Sequence, residues 1–311
     1  MQLDYKGLPL TLTAGRIADP GDYGTWPLGT AAWTWDPADD PGYTPQGITS
    51  FQDTDTAKGT KQEVVLVSWH SAGDKPPRLS YLVREGDDWR YGNVLLQGAD
   101  VTPKLHAGGL AFFAGRVLVA ETGTGLLAFD ATNPTQTGSV WSIAQSGRFD
   151  LARRIANPQQ RVFSFADIDW SEAGAPVLLT GVYASAKDGL LPGLFAWTLG
   201  KDGPTGKPPT DCLPCVSGQS APDGAKPYRY IQGATRRDGA WYLSQSGDVA
   251  AITRYDGAPC SAPPPKAPLA RCSLGLEDLH IPADGRCLRG LTENVSDVHK
   301  QSPRLLFEIP L

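Results

Sequence analysis

The sequence predicts an all-β protein: a five-bladed propeller of four-stranded antiparallel blades, the last of them closed by the N-terminal strand. Three observations lead there. The 311 residues include 35 glycines and 27 prolines with almost no long amphipathic helical window, so short strands joined by turns are expected. Leu105 to Asp130, LHAGGLAFFAGRVLVAETGTGLLAFD, reads as a meander. It has a polar residue and glycines, a short apolar strand, a tight turn at Ala114-Gly115, and strands at Val117 to Glu121 and Leu126 to Asp130. The same unit returns four more times, degenerate but in register.

The first unit opens at Tyr43 to Thr49 and continues through Glu63 to Trp69 and Arg78 to Val83. The stretch from Leu105 is the second. The third runs through Phe163 to Trp170, Val177 to Tyr183 and Leu194 to Thr198. The fourth uses Tyr230 to Ala234, Trp241 to Ser244 and Val249 to Thr253; the fifth uses Leu276 to Leu279, Cys287 to Thr292 and Arg304 to Ile309. Polar anchors Gln46, His106, Asp167, Gln232 and Glu277 open the units at spacings of 60, 61, 65 and 45 residues, which suits four-stranded blades with variable loops. The fifth unit ends too early for a fourth strand, and the alternating Leu8 to Ala14 is the expected replacement, so that both termini share one blade and two sheet edges disappear. A β-sandwich pair is the rival, but sandwiches have no reason to repeat a polar anchor. The chain is thus read as one domain, residues 1–311, with Pro/Gly/Cys-rich insertions near 200–229 and 256–272. Gly47, Gly108, Gly109 and Gly233 beside the anchors fit a crowded centre, where a missing Cβ permits close backbone approach.

A net charge of −5 and a pI near 5.4 argue against nucleic acid or an anionic membrane as partner, since either favours a basic surface. No apolar run approaches the roughly 20 residues needed to span a bilayer. The start, MQLDYKGLPLTLTAG, lacks a charged-then-apolar leader, as a mature secreted protein would; the expected location is extracellular, with cytoplasmic as the alternative. A monomer is expected. Of five cysteines, Cys212 and Cys215 form CLPC and Cys260, Cys272 and Cys287 flank another proline-rich loop. Structural disulfides or buried thiols, a metal clip and redox chemistry all remain open, the last lacking the helix N-terminus that would acidify a thiol.

PQGIT, HAGGLAFF, ADIDW, QGAT and EDL, each opening a meander, resemble the repeats of five-bladed propeller proteins encoded in actinobacteria and often secreted. That resemblance covers most of the chain and implies the fold rather than an activity. Other five-bladed propellers include arabinan-cleaving glycosidases, plant-type glutaminyl cyclases and sugar-binding lectins, so fold alone does not choose a function.

In such a ring, the starts of the first strands and the ends of the second converge on one mouth. Gln46, His106, Asp167, Gln232 and Glu277 would form its inner circle, with Trp69, His70, Glu121, Tyr183, Gln245 and Glu293 around them. Aromatic faces with convergent hydrogen-bonding groups suit a polar small molecule or carbohydrate. His106, Asp167, Glu277 and Glu121 are the expected catalytic groups; Gln46, Trp69, His70, Tyr183, Gln232, Gln245 and Glu293 are the expected ligand contacts. The bland alternative is a channel that is polar only to hold water and tether its blades. Glycoside cleavage needs two carboxyl groups about 5 to 9 Å apart, which Asp167 with Glu277 or Glu121 with Glu293 would supply. Proton transfer by His106 or His70 is equally permitted, as in a cyclase or lyase. A central calcium or zinc is a further expectation: Asp167, Glu277, Gln46 and Gln232 offer oxygens, while His106 pulls toward zinc or manganese. Asp36, Asp39 and Asp40 read as a turn rather than a calcium loop, and Arg148, Arg153, Arg154 and Arg161 as a solvated basic loop. No GxSxG elbow and no GxGxxG or Walker loop is present, which argues against a serine or cysteine hydrolase and against nucleotide cofactors. The contrasting class is a non-catalytic lectin-like module or a protein-binding scaffold using loops 131–162 and 200–229. Lectin propellers tend to repeat their binding residues, and these anchors differ.

Overall fold

The computed structural model describes residues 4–40, 42–55, 60–71, 73–123, 125–171, 175–184, 190, 193–206, 230–246, 250–257, 267–272, 275–293 and 304–311. Among them there is no α-helix, and strands dominate. The all-β expectation holds.

Five antiparallel meanders follow one another. Unit one comprises Tyr43–Asp55, Thr60–Ser71, Arg78–Glu85 and Asp88–Gln97. Unit two comprises Leu110–Phe113, Arg116–Glu121, Gly125–Asp130 and Val140–Phe149. Unit three has Phe165–Asp169, Val177–Val182, Gly193–Gly200 and the short Gly203–Pro204. Ile231–Arg237, Ala240–Gln245, Ala250–Asp256 and Ala270–Cys272 make unit four. Unit five begins with Gly275–His280, Cys287–Glu293 and Leu305–Pro310. Turn chemistry sets the registers: Ala114-Gly115 and Asp238-Gly239 both take positive φ at two successive residues, which matches the twist of a two-residue hairpin.

The inner strand of each unit packs on that of the next, one on two, two on three, three on four, four on five, and five back on one. Five apolar clusters fill the seams, one between each neighbouring pair. Period-2 alternation divides each second strand between two seams. Val117 and Val119 face unit one, whereas Leu118 and Ala120 face unit three. Each such aliphatic side chain, fully buried, contributes about 1.5–3 kcal/mol if a Val or Leu, so the seams rather than isolated sheets hold the chain together.

Closure differs from the expectation. The outer strand of unit five is Ala31–Thr34, paired antiparallel with Leu305–Pro310, and not Leu8 to Ala14. Ala31–Thr34 fits there because Ala32 packs toward the seam with unit four while Trp33 packs toward unit one. Leu12–Arg16 lies farther out, pairing through Gly15 and Arg16 with Ala31–Thr34 and through Leu12 to Ala14 with Asp88–Gln97. The N-terminal segment thus joins the outer edges of units five and one into a continuous sheet. That arrangement covers two edges that would otherwise present unpaired backbone groups.

Candidate functional site

Close backbone approach defines the level at which the inner strands meet. A Cβ on Gly47 would lie 2.4 Å from the Gly108 carbonyl oxygen, one on Gly109 2.0 Å from the Ala166 nitrogen, and one on Gly233 2.6 Å from the Asp278 Cα. Gln46, Gln232 and Glu277 stand just before this level and His106 slightly farther out, all toward the end where the strands begin, here the near end. Asp167 does not belong with them. Gly108 and Gly109 abut Ser164 to Ala166, so Ser164 holds the corresponding place in unit three. At about 3.3 Å per residue, Asp167 is displaced toward the far end by several ångströms.

Serines of the second strands hold two of the near-end segments. Ser68 accepts from the Gly47 nitrogen at 2.8 Å and donates to the Ala107 carbonyl at 2.6 Å, while Ser244 donates to the Glu277 carbonyl at 2.5 Å. Ala107 and Tyr230 carry positive φ, 52° and 63°, outside the Xaa-Gly turns that explain Lys6, Ala114 and Asp238. Strain of this kind costs on the order of 1–3 kcal/mol and collects at binding sites.

The near-end side chains come in pairs. His70 and His106 lie with ring centroids 4.8 Å apart, and Nδ1 of His70 is buried without a hydrogen-bond partner. Surrounding protein, and secondarily His70, lowers the His106 pKa to about 4. Water reaches the His106 ring, so its loss of hydration is partial, but the direction favours a neutral imidazole at pH 7. Glu277 accepts from Gln232 Nε2 at 3.1 Å and lies within hydrogen-bonding reach of Glu293. Burial first, then the Glu293 charge, pushes the Glu277 carboxyl well above the ordinary range. The carboxyl pair is therefore Glu277 with Glu293, and neither of the two pairings expected from the sequence. Tyr183 meets Tyr230 edge to face at 5.8 Å. Glu121 and Gln245 are half-buried at the ends of their strands, and Gln46 is buried with its amide donating to Pro45. Trp69 contributes no face to the mouth. Its ring is fully buried in the seam between units five and one, with its N–H donating to Ser80.

A second polar assembly occupies the far end. Asp167 Oδ1 is 2.7 Å from His280 Nδ1, and His280 Nε2 is 2.9 Å from Ser50 Oγ. Glu63 stands within reach of the same hydroxyl, is gripped by both terminal nitrogens of Arg289 at 2.7 and 2.8 Å, and Arg289 Nε reaches Glu308 at 2.8 Å. Asp278 accepts through one oxygen from the Ile48 and Leu110 nitrogens, tying units one and two to unit five, and its other oxygen has no partner. Burial raises the pKa of both Asp167 and Asp278; for Asp167 the facing His280 opposes that rise. Ser50, His280, Asp278 and Tyr230 were outside the set expected from sequence. A histidine ending the inner strand Gly275–His280 was the available signal for His280.

Among the described residues no group of three or more His, Cys, Asp or Glu side chains could hold a metal ion. The donors expected to do so are already engaged: Asp167 by His280, and Glu277 by Gln232 and Glu293. No disulfide joins Cys272 to Cys287; Cys212, Cys215, Cys260 and the Asn294-Val-Ser296 sequon lie outside the described residues. Asp36 forms the expected turn, accepting from Ala38, while Asp39 is buried against Arg78 and Asp40 pairs with Lys75. Arg148 pairs with Asp100 and Asp150, and Arg154 and Arg161 bind backbone carbonyls. Among the described residues no helix is long and apolar enough to cross a membrane.

No family model and no curated protein matches the chain. A solved structure assigned provisionally as a 6-phosphogluconolactonase from Bacteroides uniformis is similar at 14% identity, covering 90% of this chain and 88% of that one, with a TM-score of 0.32. At that score the likeness carries no argument about activity.

Proposed function

We propose that the chain is a five-bladed propeller whose near-end mouth binds a polar small molecule or sugar and acts on it by acid–base catalysis. The cyclic packing of the five inner strands, with one apolar seam per neighbouring pair, supports the propeller reading. The observation that carries the functional reading is the Glu277–Glu293 pair. A buried carboxyl whose pKa is raised by burial and by a second carboxylate holds its proton to higher pH than a free one, and a retained proton is what a general acid donates to a leaving oxygen. Glu293, half-buried beside it, is the partner base or stabiliser. Gln232 orients Glu277, the His70 Nδ1 offers unfilled hydrogen-bonding capacity beside the His106 ring, and the Tyr183–Tyr230 pair offers an aromatic surface to a sugar face. A secreted, monomeric protein is part of the same reading, its secretion resting on the actinobacterial resemblance.

One experiment separates this from a non-catalytic scaffold. Purified protein is screened by thermal shift against neutral mono- and oligosaccharides, and hits are incubated and analysed for products. Stabilisation by one class, lost in His106→Ala, together with product formation lost in Glu277→Gln, is the expected outcome. Stabilisation that survives both substitutions would move the site away from this mouth.

A further inference from the structure

We propose that Ser50, His280 and Asp167 form a second reactive site at the far end of the inner strands, with Ser50 as a nucleophile toward small uncharged carboxylic esters. The three residues come from the inner strands of units one, five and three and are separated by 230 and 113 positions, so no linear motif announces them. Serine–histidine–acid sites are recognised by geometry and not by chain order. Here both contacts, 2.9 and 2.7 Å, fall within hydrogen-bonding distance in the order hydroxyl, imidazole, carboxylate. A nucleophilic Ser50 would depart from the expectation drawn from the missing GxSxG elbow.

Burial along the relay runs in the sense a nucleophile requires. Asp167 and His280 are 0% and 1% exposed, whereas Ser50 is only half-buried, so a substrate meets the hydroxyl first. A carboxylate facing Nδ1 favours the proton on that nitrogen, which turns the Nε2 lone pair to the serine; the single Ser50 proton is shared between that lone pair and Glu63, and the reactive form is the one in which it is given to Nε2. Charged groups surround the imidazole. Asp167 faces it on one side, Glu63 stands near it on the other, and Arg289 and Glu308 complete the group with Asp278 behind Asp167. Glu63 is also why the substrate class is uncharged: a carboxylate beside the hydroxyl repels an anionic acyl group. A purely mechanical tether between units one, three and five would use the same contacts without making the hydroxyl reactive, and the two readings part on reactivity.

The step balances as follows. Ser50 Oγ attacks the ester carbonyl carbon as its proton passes to His280 Nε2. The carbonyl–alkoxy bond breaks, the proton returns from Nε2 to the leaving alkoxide, and an acyl-Ser50 remains. Water then attacks the acyl carbon, gives one proton to Nε2, and releases the carboxylic acid as Ser50 recovers its proton. His280 is the general base, and Asp167, acting through His280, is a positioning residue.

The test uses the intact protein with a fluorophosphonate, which reports a nucleophilic serine by losing fluoride and leaving one phosphonyl group on oxygen. Mass spectrometry of the digested protein should place a single adduct on the peptide holding Ser50, and p-nitrophenyl acetate should be hydrolysed. His280→Gln should slow labelling by on the order of a thousandfold, and Asp167→Asn should do nearly as much. The wild-type labelling rate should fall at acid pH and that dependence should be lost in His280→Gln, a response a structural role would not produce. Folded wild-type protein that stays unlabelled at Ser50, or labelling that persists in folded His280→Gln, would overturn the proposal. Neither result depends on the saccharide screen.

Discussion

At the near end of the inner strands the polar groups stand in separate pairs, His70 with His106, Glu277 with Glu293 and Tyr183 with Tyr230. At the far end Asp167, His280, Ser50, Glu63, Arg289 and Glu308 form one continuous chain. The same five strands supply both. The near end retains backbone strain at Ala107 and Tyr230 and an unpartnered imidazole nitrogen, while the far end adds a bidentate ion pair with two carboxylates on one guanidinium. Groups left with spare hydrogen-bonding capacity are available to a ligand. The far-end groups engage mainly one another and tie units one, three and five together, with one oxygen each of Asp167 and Asp278 left over, and Ser50 is the half-buried member at the rim of that chain.

The contrast breaks most visibly at Arg289. Replacing it by alanine leaves Glu63 without its cation and Glu308 with Arg84 alone at the seam of units five and one, and unfolding in urea should show a loss of about 3–5 kcal/mol. A loss below about 1 kcal/mol would mean that the far-end chain is not mechanical.

The waist between the two ends should respond next. Gly109→Ala places a Cβ 2.0 Å from the Ala166 nitrogen and 2.3 Å from the Phe165 Cα, backbone atoms that have nowhere to go, so a loss of about 1–3 kcal/mol or more is expected. Gly15→Ala is the control at the outer edge. With nothing within 4 Å of its Cβ and no left-handed φ, it should be neutral or stabilise by under about 1 kcal/mol.

The smallest effect concerns pH at the near end. Folded Glu277 keeps a proton that the unfolded chain releases near the ordinary value of 4.5, so the wild type loses stability as pH rises from there through the raised folded value. Glu277→Gln cannot lose that proton. Its stability relative to wild type should therefore climb with pH across the window, measured by urea unfolding at several pH values. Asp167 and Asp278 titrate in the same sense; the difference between the two proteins removes most of the Asp167 contribution and leaves the Asp278–Glu277 coupling in the comparison. A flat difference would mean that Glu277 is ionised in the fold and is no acid.

Much of the architecture was legible from the chain. Alternation in Val117 to Ala120 announced a strand shared between two seams, and Gly47, Gly109 and Gly233 announced close approach. The site was legible only in part. Gln46, His106, Gln232 and Glu277 were placed at the level they occupy, but Asp167 was aligned with them although it sits deeper. A five-residue strand preceded by an irregular loop gives no register until a neighbour fixes it. Trp69 was read as a mouth residue because it ends a second strand, yet successive residues on a strand point to opposite faces, and its face is a seam.

By itself, then, the sequence determined the strand content, the five repeats and the polar segments that open four of them, because periodicity and turn chemistry are local. Tertiary structure alone decided which N-terminal strand closes unit five, that Glu277 pairs with Glu293, and that Ser50 meets His280 and Asp167. Those outcomes depend on the register between strands far apart in sequence. One residue of slip turns a side chain to the other face, and only packing in three dimensions selects the register.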